Sequence, residues 1–191
     1  HNGELHNHND VGSYNVLIGG ELVAGDVGGE VYTARTFSPR RYESKVLSSY
    51  GHPVPRVGGR LQVLGRAAAA KVVKTDFTEQ KDTVVLDIAK AYDCPTLTAL
   101  TRTFVFDRQK RTVAITDNVS FSAPTAFESP VMTLKPHLLE GRLALTATGG
   151  EWEEKRETIE NPGKPTPHRI AVRFKEPVAE ASVSFVFSCG K

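Results

Sequence analysis

The sequence has 191 residues, enough for one domain with a sizeable core, and 39% of them are hydrophobic. No stretch approaches the roughly 20 apolar residues that a membrane-spanning helix needs, so we expect no membrane span. The net charge of +2 is too small to indicate a polyanionic partner by itself, and no basic stripe interleaved with aromatic residues indicates a nucleic acid.

The chain opens with a histidine-rich run, HNGELHNHND. In an extended segment, side chains at positions i, i+2 and i+4 share one face, so His6, His8 and Asp10 are predicted to project together. Two imidazoles and a carboxylate on one side can begin a zinc site. Two other interpretations stay open, namely a remnant of a purification tag and ordinary surface residues.

The next two segments supply candidate partners for this run. Residues 18–21, Ile-Gly-Gly-Glu, predict a tight hairpin whose glycines tolerate positive φ. The returning strand ends at Asp26, so the hairpin can bring that carboxylate back beside His8. His52, in the sequence SYGHP, is the next candidate ligand.

Positive charge is concentrated in residues 31–75, which carry nine basic residues and one acid, a net charge of +8. The rest of the chain therefore carries −6. A segment this basic can steer an acidic substrate towards the protein. It can equally be a solvated sheet face covered by long side chains.

Short segments of alternating apolar and polar residues recur along the whole chain and predict strands. They are residues 13–18, 21–24, 69–75, 83–88, 100–107, 111–120, 126–134, 142–148, 151–159, 168–174 and 181–188. Residues 107–111 predict a hairpin loop, and residues 161–167, with three prolines, predict an exposed loop. No helical periodicity is sustained. The predicted fold is all-β, a large antiparallel β-sandwich of more than ten strands, treated as one domain over residues 1–191.

The opening 60 residues resemble the signature of the heparinase II/III family of polysaccharide lyases. The resemblance lies in HNGELHNHND, in VGSYNVLIGGELVAGDVGGEVY and in FSPRRYE. In that family an HxHxD run enters a strand, a hairpin follows, and a D-x-G stretch leads to a tyrosine. The family pattern is matched more loosely by residues 101–121 and 127–134.

This resemblance implies that the chain is the carboxy-terminal β-sandwich domain of a larger protein. Family members combine such a domain with a helical toroid domain, which is absent here, and bind an acidic polysaccharide in the cleft between the two. They cleave uronate-containing glycans, such as heparan sulfate or alginate, by β-elimination. The principal catalytic tyrosine lies in the helical domain, so we expect this fragment alone to be nearly inactive. We expect a periplasmic or secreted bacterial protein.

The same resemblance assigns roles to individual residues. His8, Asp26 and His52 match the zinc ligands, His6 matches a histidine that faces the substrate, and Asp10 has only an orienting role. The cleft wall that would bind the glycan is assigned to Tyr32, Arg35, Arg40 and Arg41. Tyr32 can equally be an aromatic side chain packed on the sheet.

Two other functions remain open at this point. One is a non-catalytic carbohydrate-binding or structural β-sandwich. The other is a metal-dependent hydrolase, which needs an open zinc position and a base near His6 or Asp10. The sequence also leaves open which acidic glycan is bound, whether cleavage is endo or exo, and whether Cys94 and Cys189 pair.

Overall fold

The structure is a computed structural model that describes residues 1–4 and 7–189. Its described part contains twelve β-strands and five short 3₁₀ turns, so the all-β prediction is confirmed. The strands are β1 Val16–Ile18, β2 Glu21–Ala24, β3 Arg56–Val57, β4 Lys71–Phe77, β5 Lys81–Asp87, β6 Leu97–Asp107, β7 Thr112–Thr125, β8 Phe127–Thr133, β9 Leu143–Thr148, β10 Trp152–Thr158, β11 His168–Phe174 and β12 Val178–Ser188. The 3₁₀ turns are Arg35–Phe37, Arg41–Glu43, Ser49–Gly51, Ala89–Ala91 and Pro136–Leu139.

The strands form three antiparallel sheets. A six-stranded sheet has the order β4-β5-β6-β7-β12-β9, and a four-stranded sheet has the order β10-β11-β8-β3. Strands β1 and β2 form a separate hairpin. Its turn glycines have φ values of 61° and 84°, as the sequence predicted for a two-residue turn of this kind.

One hydrophobic core joins the two larger sheets. The six-stranded sheet contributes alternate residues of its central strands, among them Leu100, Ile115 and Phe185, each 0% exposed. The four-stranded sheet contributes Val131 and Val172, also 0% exposed, to the same cluster. Period-two alternation places these residues on the inner faces of the sheets, and their burial is what holds the sandwich together.

The chain between β2 and β4 contains little regular structure. Apart from the two residues of β3, residues 25–70 form loops and three of the 3₁₀ turns. A smaller hydrophobic cluster, formed by Val27, Val46, Met132 and Ile159, anchors this segment to the four-stranded sheet. The predicted strands at residues 21–24 and 168–174 have the observed bounds, and the hairpin after β6 and the loop at residues 161–167 are confirmed. No helix in the described part of the chain is long and apolar enough to cross a membrane.

Candidate metal centre

His8 lies in an irregular segment that precedes β1. The segment is attached to the body of the protein through the amide of Asn9, which donates to the carbonyl of Leu47 at 3.3 Å. His8 is half-buried, and its imidazole lies near Gly29, where a Cβ atom would be 3.7 Å from Nε2. A side chain at position 29 would therefore be in van der Waals contact with the ring.

Asp26 follows the last residue pair of the β1–β2 hairpin. The amide of Gly25 donates to the carbonyl of Met132 on β8, which ties the end of β2 to the four-stranded sheet. The amide of Asp26 donates to Asn15 Oδ1 at 2.8 Å, and Asp26 Oδ1 accepts the amide of Gly28 at 2.8 Å. These bonds orient the carboxylate while its side chain stays 36% exposed.

His52 follows the 3₁₀ turn Ser49–Gly51 and is 0% exposed. Burial lowers the pKa of its imidazole from an ordinary 6.5 to about 4, with the Asp26 carboxylate opposing the shift and His8 adding to it. The ring is therefore neutral at physiological pH. A neutral imidazole has a free lone pair, which is the form that binds a metal ion.

The structure brings these three side chains together. One potential ligand atom from each of His8, Asp26 and His52 lies within 4.8 Å of the other two. His52 Nδ1 is 3.6 Å from Asp26 Oδ1, and the centroids of the two imidazole rings are 4.9 Å apart. The hairpin geometry that the sequence predicted thus returns the carboxylate beside His8, and His52 joins the pair from a loop.

The donor set fits a metal ion. Both ring nitrogens of His52 are buried, and neither has a hydrogen-bond partner among the described residues. An orphaned buried polar atom is costly, and ligation of a metal by one of the two nitrogens removes that cost for the ligating atom. Two imidazole nitrogens and a carboxylate oxygen are ligands that zinc prefers.

Asp10 lies close to this group. Burial and the neighbouring Asp26 carboxylate raise the pKa of Asp10, while His8 lowers it. The amide of Asp10 donates to Asn2 Oδ1 at 3.2 Å. Asp10 thus lies within electrostatic reach of His8 and Asp26, and its orienting role stays a prediction.

The other residues assigned from the sequence lie in several environments. His6 is outside the described residues. Tyr32 is 64% exposed, and its ring makes an edge contact with Phe37 at a centroid distance of 5.4 Å. Arg35 pairs with Glu30 at 2.6 Å, and Arg40 makes a forked pair with Glu43.

Arg41 has a different position from its neighbours. It is 9% exposed and donates to the carbonyls of Asn7 and Thr36 at 3.1 and 2.9 Å. Asn7 precedes His8, so this guanidinium helps to fix the histidine-bearing segment. Tyr42, for which the sequence predicted no role, donates to Asn7 Oδ1 at 2.8 Å. Contacts across about 35 residues leave no local signal in the sequence.

A cavity of about 770 Å³ lies next to the loops that follow Gly29, and its lining does not include His8, Asp26 or His52. Its lining includes Glu30, which follows Gly29, and the side chains of Arg35 and Lys45. On the opposite side lies the loop that begins at Glu160. The lining carries charges of both signs, and the ion pair between Glu30 and Arg35 reduces the positive charge that the sequence alone indicated.

Comparison with known proteins gives a fold but no sequence relative. No protein-family model matches the chain, and no curated protein matches it. Among solved structures it is similar to a heparinase III (the BT4657 gene product), with a TM-score of 0.70, 14% identity and 97% of this chain covered. It is similar to the heparan sulfate lyase HepC from Pedobacter heparinus with a TM-score of 0.67, 17% identity and the same coverage. A further heparinase III structure gives a TM-score of 0.64 at 14% identity.

The similarity covers nearly all of this chain but only part of each neighbour. The chain spans about 31% of the length of each of these three structures. It therefore has the fold of the heparinase-like β-sandwich, and the predicted resemblance is confirmed at the level of the fold.

Proposed function

We propose that this chain is the β-sandwich domain of a polysaccharide lyase that cleaves uronate-containing acidic glycans by β-elimination. In this proposal His8, Asp26 and His52 hold a zinc ion, and a helical domain of the same protein completes the substrate cleft. The observation that carries the proposal is the convergence of these three ligands within 4.8 Å, in a fold shared with heparinase III. A periplasmic or secreted location is part of the proposal, because such polymers lie outside the cytoplasm.

The proposed reaction makes three chemical demands. The uronate carboxylate must be neutralised so that the neighbouring C5 proton becomes acidic, a base must remove that proton, and an acid must protonate the leaving oxygen. We assign His6 to the substrate side, two residues from His8, where an imidazole can bind or help to neutralise the uronate. Tyr32, Arg35 and Arg40 are assigned to the glycan-facing side, since all three are partly or largely exposed. Arg41, which was predicted to join them, is buried, and we leave it out of the glycan-facing set.

The proposed zinc has a structural role. When bound, it would join three segments from different parts of the chain: the segment before β1, the end of β2 and the loop after Ser49–Gly51. His52 would supply the buried ligand, and Asp26 the charge that offsets part of the ion's charge.

The metal site is tested by measuring zinc in the purified chain and in two single variants. Parent protein is expected to hold one zinc per chain. His8→Ala is expected to lose zinc and thermal stability, whereas His6→Ala is expected to keep both. Equal zinc contents in the parent and the His8→Ala variant would remove this site from consideration.

The lyase reaction is tested with the full-length protein on a panel of uronate glycans. β-Elimination leaves an unsaturated uronate that absorbs in the ultraviolet, so product formation is followed directly by absorbance. His6→Ala in the full-length protein is expected to abolish turnover while zinc is retained. Absence of an absorbing product across the panel would contradict the lyase assignment.

A metal-dependent hydrolase is the second candidate, and one observation favours it. Only three protein ligands converge among the described residues, and Asp26 is partly exposed, so a fourth position is open to water. A hydrolase would release new reducing ends without an ultraviolet-absorbing product and would stop when zinc is chelated. Glycan binding by the isolated domain, with no product from the whole protein, would instead indicate a carbohydrate-binding module.

A further inference from the structure

A buried arginine lies behind the candidate metal centre, in the middle of the sandwich. Arg102 on β6 and Asp117 on β7 are directly opposite each other in the sheet register, and both are 0% exposed. Arg102 Nε and Nη2 donate to the two carboxylate oxygens at 2.7 and 2.8 Å. Ser129 of the facing sheet donates to Asp117 Oδ2, so the carboxylate also joins the two sheets.

The third nitrogen of the guanidinium has a different use. Arg102 Nη1 donates to the backbone carbonyls of Gly12 at 2.8 Å and of Pro53 at 2.5 Å. Gly12 ends the turn that follows the His8 segment, and Pro53 is the residue directly after His52. One rigid group therefore binds both segments that carry the imidazole ligands.

The energetics of this pair indicate a role other than bulk stability. Desolvating two charges is costly, and apolar residues of similar volume often replace a buried ion pair without loss of stability. A guanidinium, however, presents five donors in a fixed plane, so its bond to Asp117 also fixes the direction of Nη1. An apolar side chain would leave the carbonyls of Gly12 and Pro53 without this donor.

We propose that Arg102, held in place by Asp117, is a positioning residue that sets the separation of His8 and His52 for metal binding. This inference rests on the metal site proposed above. In this role Arg102 lets the core of the sandwich fix the geometry of the metal ligands, although Arg102 itself contacts neither the metal nor the substrate.

The central test is the double variant Arg102→Gln with Asp117→Asn. Two facing amides keep a neutral hydrogen-bonded pair between β6 and β7, but glutamine is too short to reach both carbonyls. Gln62 independently joins the same two segments, through bonds to Val11 and to Ser49, so the variant is expected to fold. Zinc affinity, measured by competition with a chromophoric chelator, is expected to fall about tenfold or more, as outer-shell substitutions commonly do.

A spectroscopic readout separates positioning from a general loss of stability. With Co²⁺ in place of zinc, the ligand-field spectrum reports the geometry around the ion, and it is expected to change in the double variant. Ser129→Ala is the matched control, because it removes a bond to Asp117 without touching Gly12 or Pro53. It is expected to lower stability but to keep the parent spectrum and affinity.

The outcomes distinguish this inference from the metal site itself. A parent protein that binds no zinc overturns the site and, with it, the role of Arg102. A zinc-binding parent and a folded double variant of equal affinity and spectrum overturn the role of Arg102 alone. If the double variant does not fold, hydrogen exchange of the Arg102 Nε proton in the parent decides, since reciprocal coupling requires zinc to slow it by more than it slows the core amides of β12. An exchange rate that zinc leaves unchanged overturns the proposal.

Discussion

Glu30 shows how one carboxylate can organise a loop that has few backbone hydrogen bonds of its own. It accepts from Arg35 Nη2 and Ser44 Oγ, each at 2.6 Å, and from Thr36 Oγ1 at 3.1 Å. Arg35 and Thr36 belong to the 3₁₀ turn Arg35–Phe37, and Ser44 directly follows the turn Arg41–Glu43, so Glu30 links the two turns. Burial alone would raise the pKa of Glu30, but the three hydrogen bonds together lower it below the ordinary 4.5.

Glu30→Gln is therefore expected to lower the free energy of unfolding by about 1–3 kcal/mol at pH 7, because an amide accepts fewer of these bonds. Because the pKa of Glu30 is lower in the folded state, its contribution is present above the unfolded pKa and is lost as pH falls through the folded one. The difference between parent and variant, from urea unfolding, is expected to be constant between pH 7 and 5.5 and to shrink below pH 4.5. Glu43→Gln, which alters an exposed pair, is the control and is expected to change stability little.

The sequence predicted the metal ligands better than the arginines around them. Asp26 could be placed beside His8 because a two-residue hairpin is a local rule, although His8 lies in an irregular segment and not in an extended strand. The arginine roles depend on which acid or carbonyl each guanidinium meets. Arg40 finds Glu43 three residues away, but Arg41 reaches Asn7 and Arg102 reaches Gly12, contacts that only the folded chain creates.

At the scale of elements, the end of β2 requires a glycine at position 25. Gly25 has a φ of 143°, which L-residues rarely adopt, and a Cβ atom there would be 2.3 Å from Asn15 Oδ1 and 2.5 Å from the carbonyl oxygen of Tyr14. Asn15 is also the residue that accepts the amide of Asp26. Any side chain at position 25 must therefore disturb the strand end that presents the carboxylate.

Gly25→Ala is accordingly expected to destabilise the chain by at least about 2 kcal/mol, from backbone strain and the clash together. It is also expected to weaken zinc binding, because the Asp26 carboxylate moves with β2. The control is Gly19→Ala, at the hairpin turn, where φ is 61° and no atom lies within 4 Å. That change is expected to cost about 1 kcal/mol of strain and to leave zinc affinity unchanged. Calorimetric titration measures the zinc affinity of each variant. Equal affinities in Gly25→Ala and Gly19→Ala would contradict the role of Gly25 in placing Asp26.

Strand positions were predictable wherever alternation and turn residues agreed. Where only pairing with another strand sets the bounds of a strand, the sequence was less informative. β3 has only two residues and exists because it pairs with Phe127 and Glu128 of β8. β7 continues to Thr125, beyond the predicted end at residue 120, because neighbouring strands extend to meet it across irregular register shifts. Such extensions depend on partners distant in sequence.

For the whole molecule, the continuous core between the two large sheets predicts cooperative unfolding. The core cluster contains residues from both sheets and also Val11, Val16 and Val23, which flank the metal ligands. The loops of the metal centre thus unfold with the sandwich, so any ion bound there stabilises the entire fold. A metal site on an independent loop would not have this effect.

Zinc at a free concentration about 100 times its Kd is therefore expected to stabilise the folded state by about 2.7 kcal/mol. For a chain of this length, that corresponds to a rise in Tm of roughly 5–10 °C. Differential scanning calorimetry is expected to show one transition that moves as a unit, and His52→Gln is expected to remove the shift because it deletes the buried ligand. Mg²⁺ at the same concentration is the control, since it prefers oxygen ligands and is expected to leave Tm unchanged. A zinc-dependent shift confined to a minor early transition would show that the metal loops unfold separately from the sandwich.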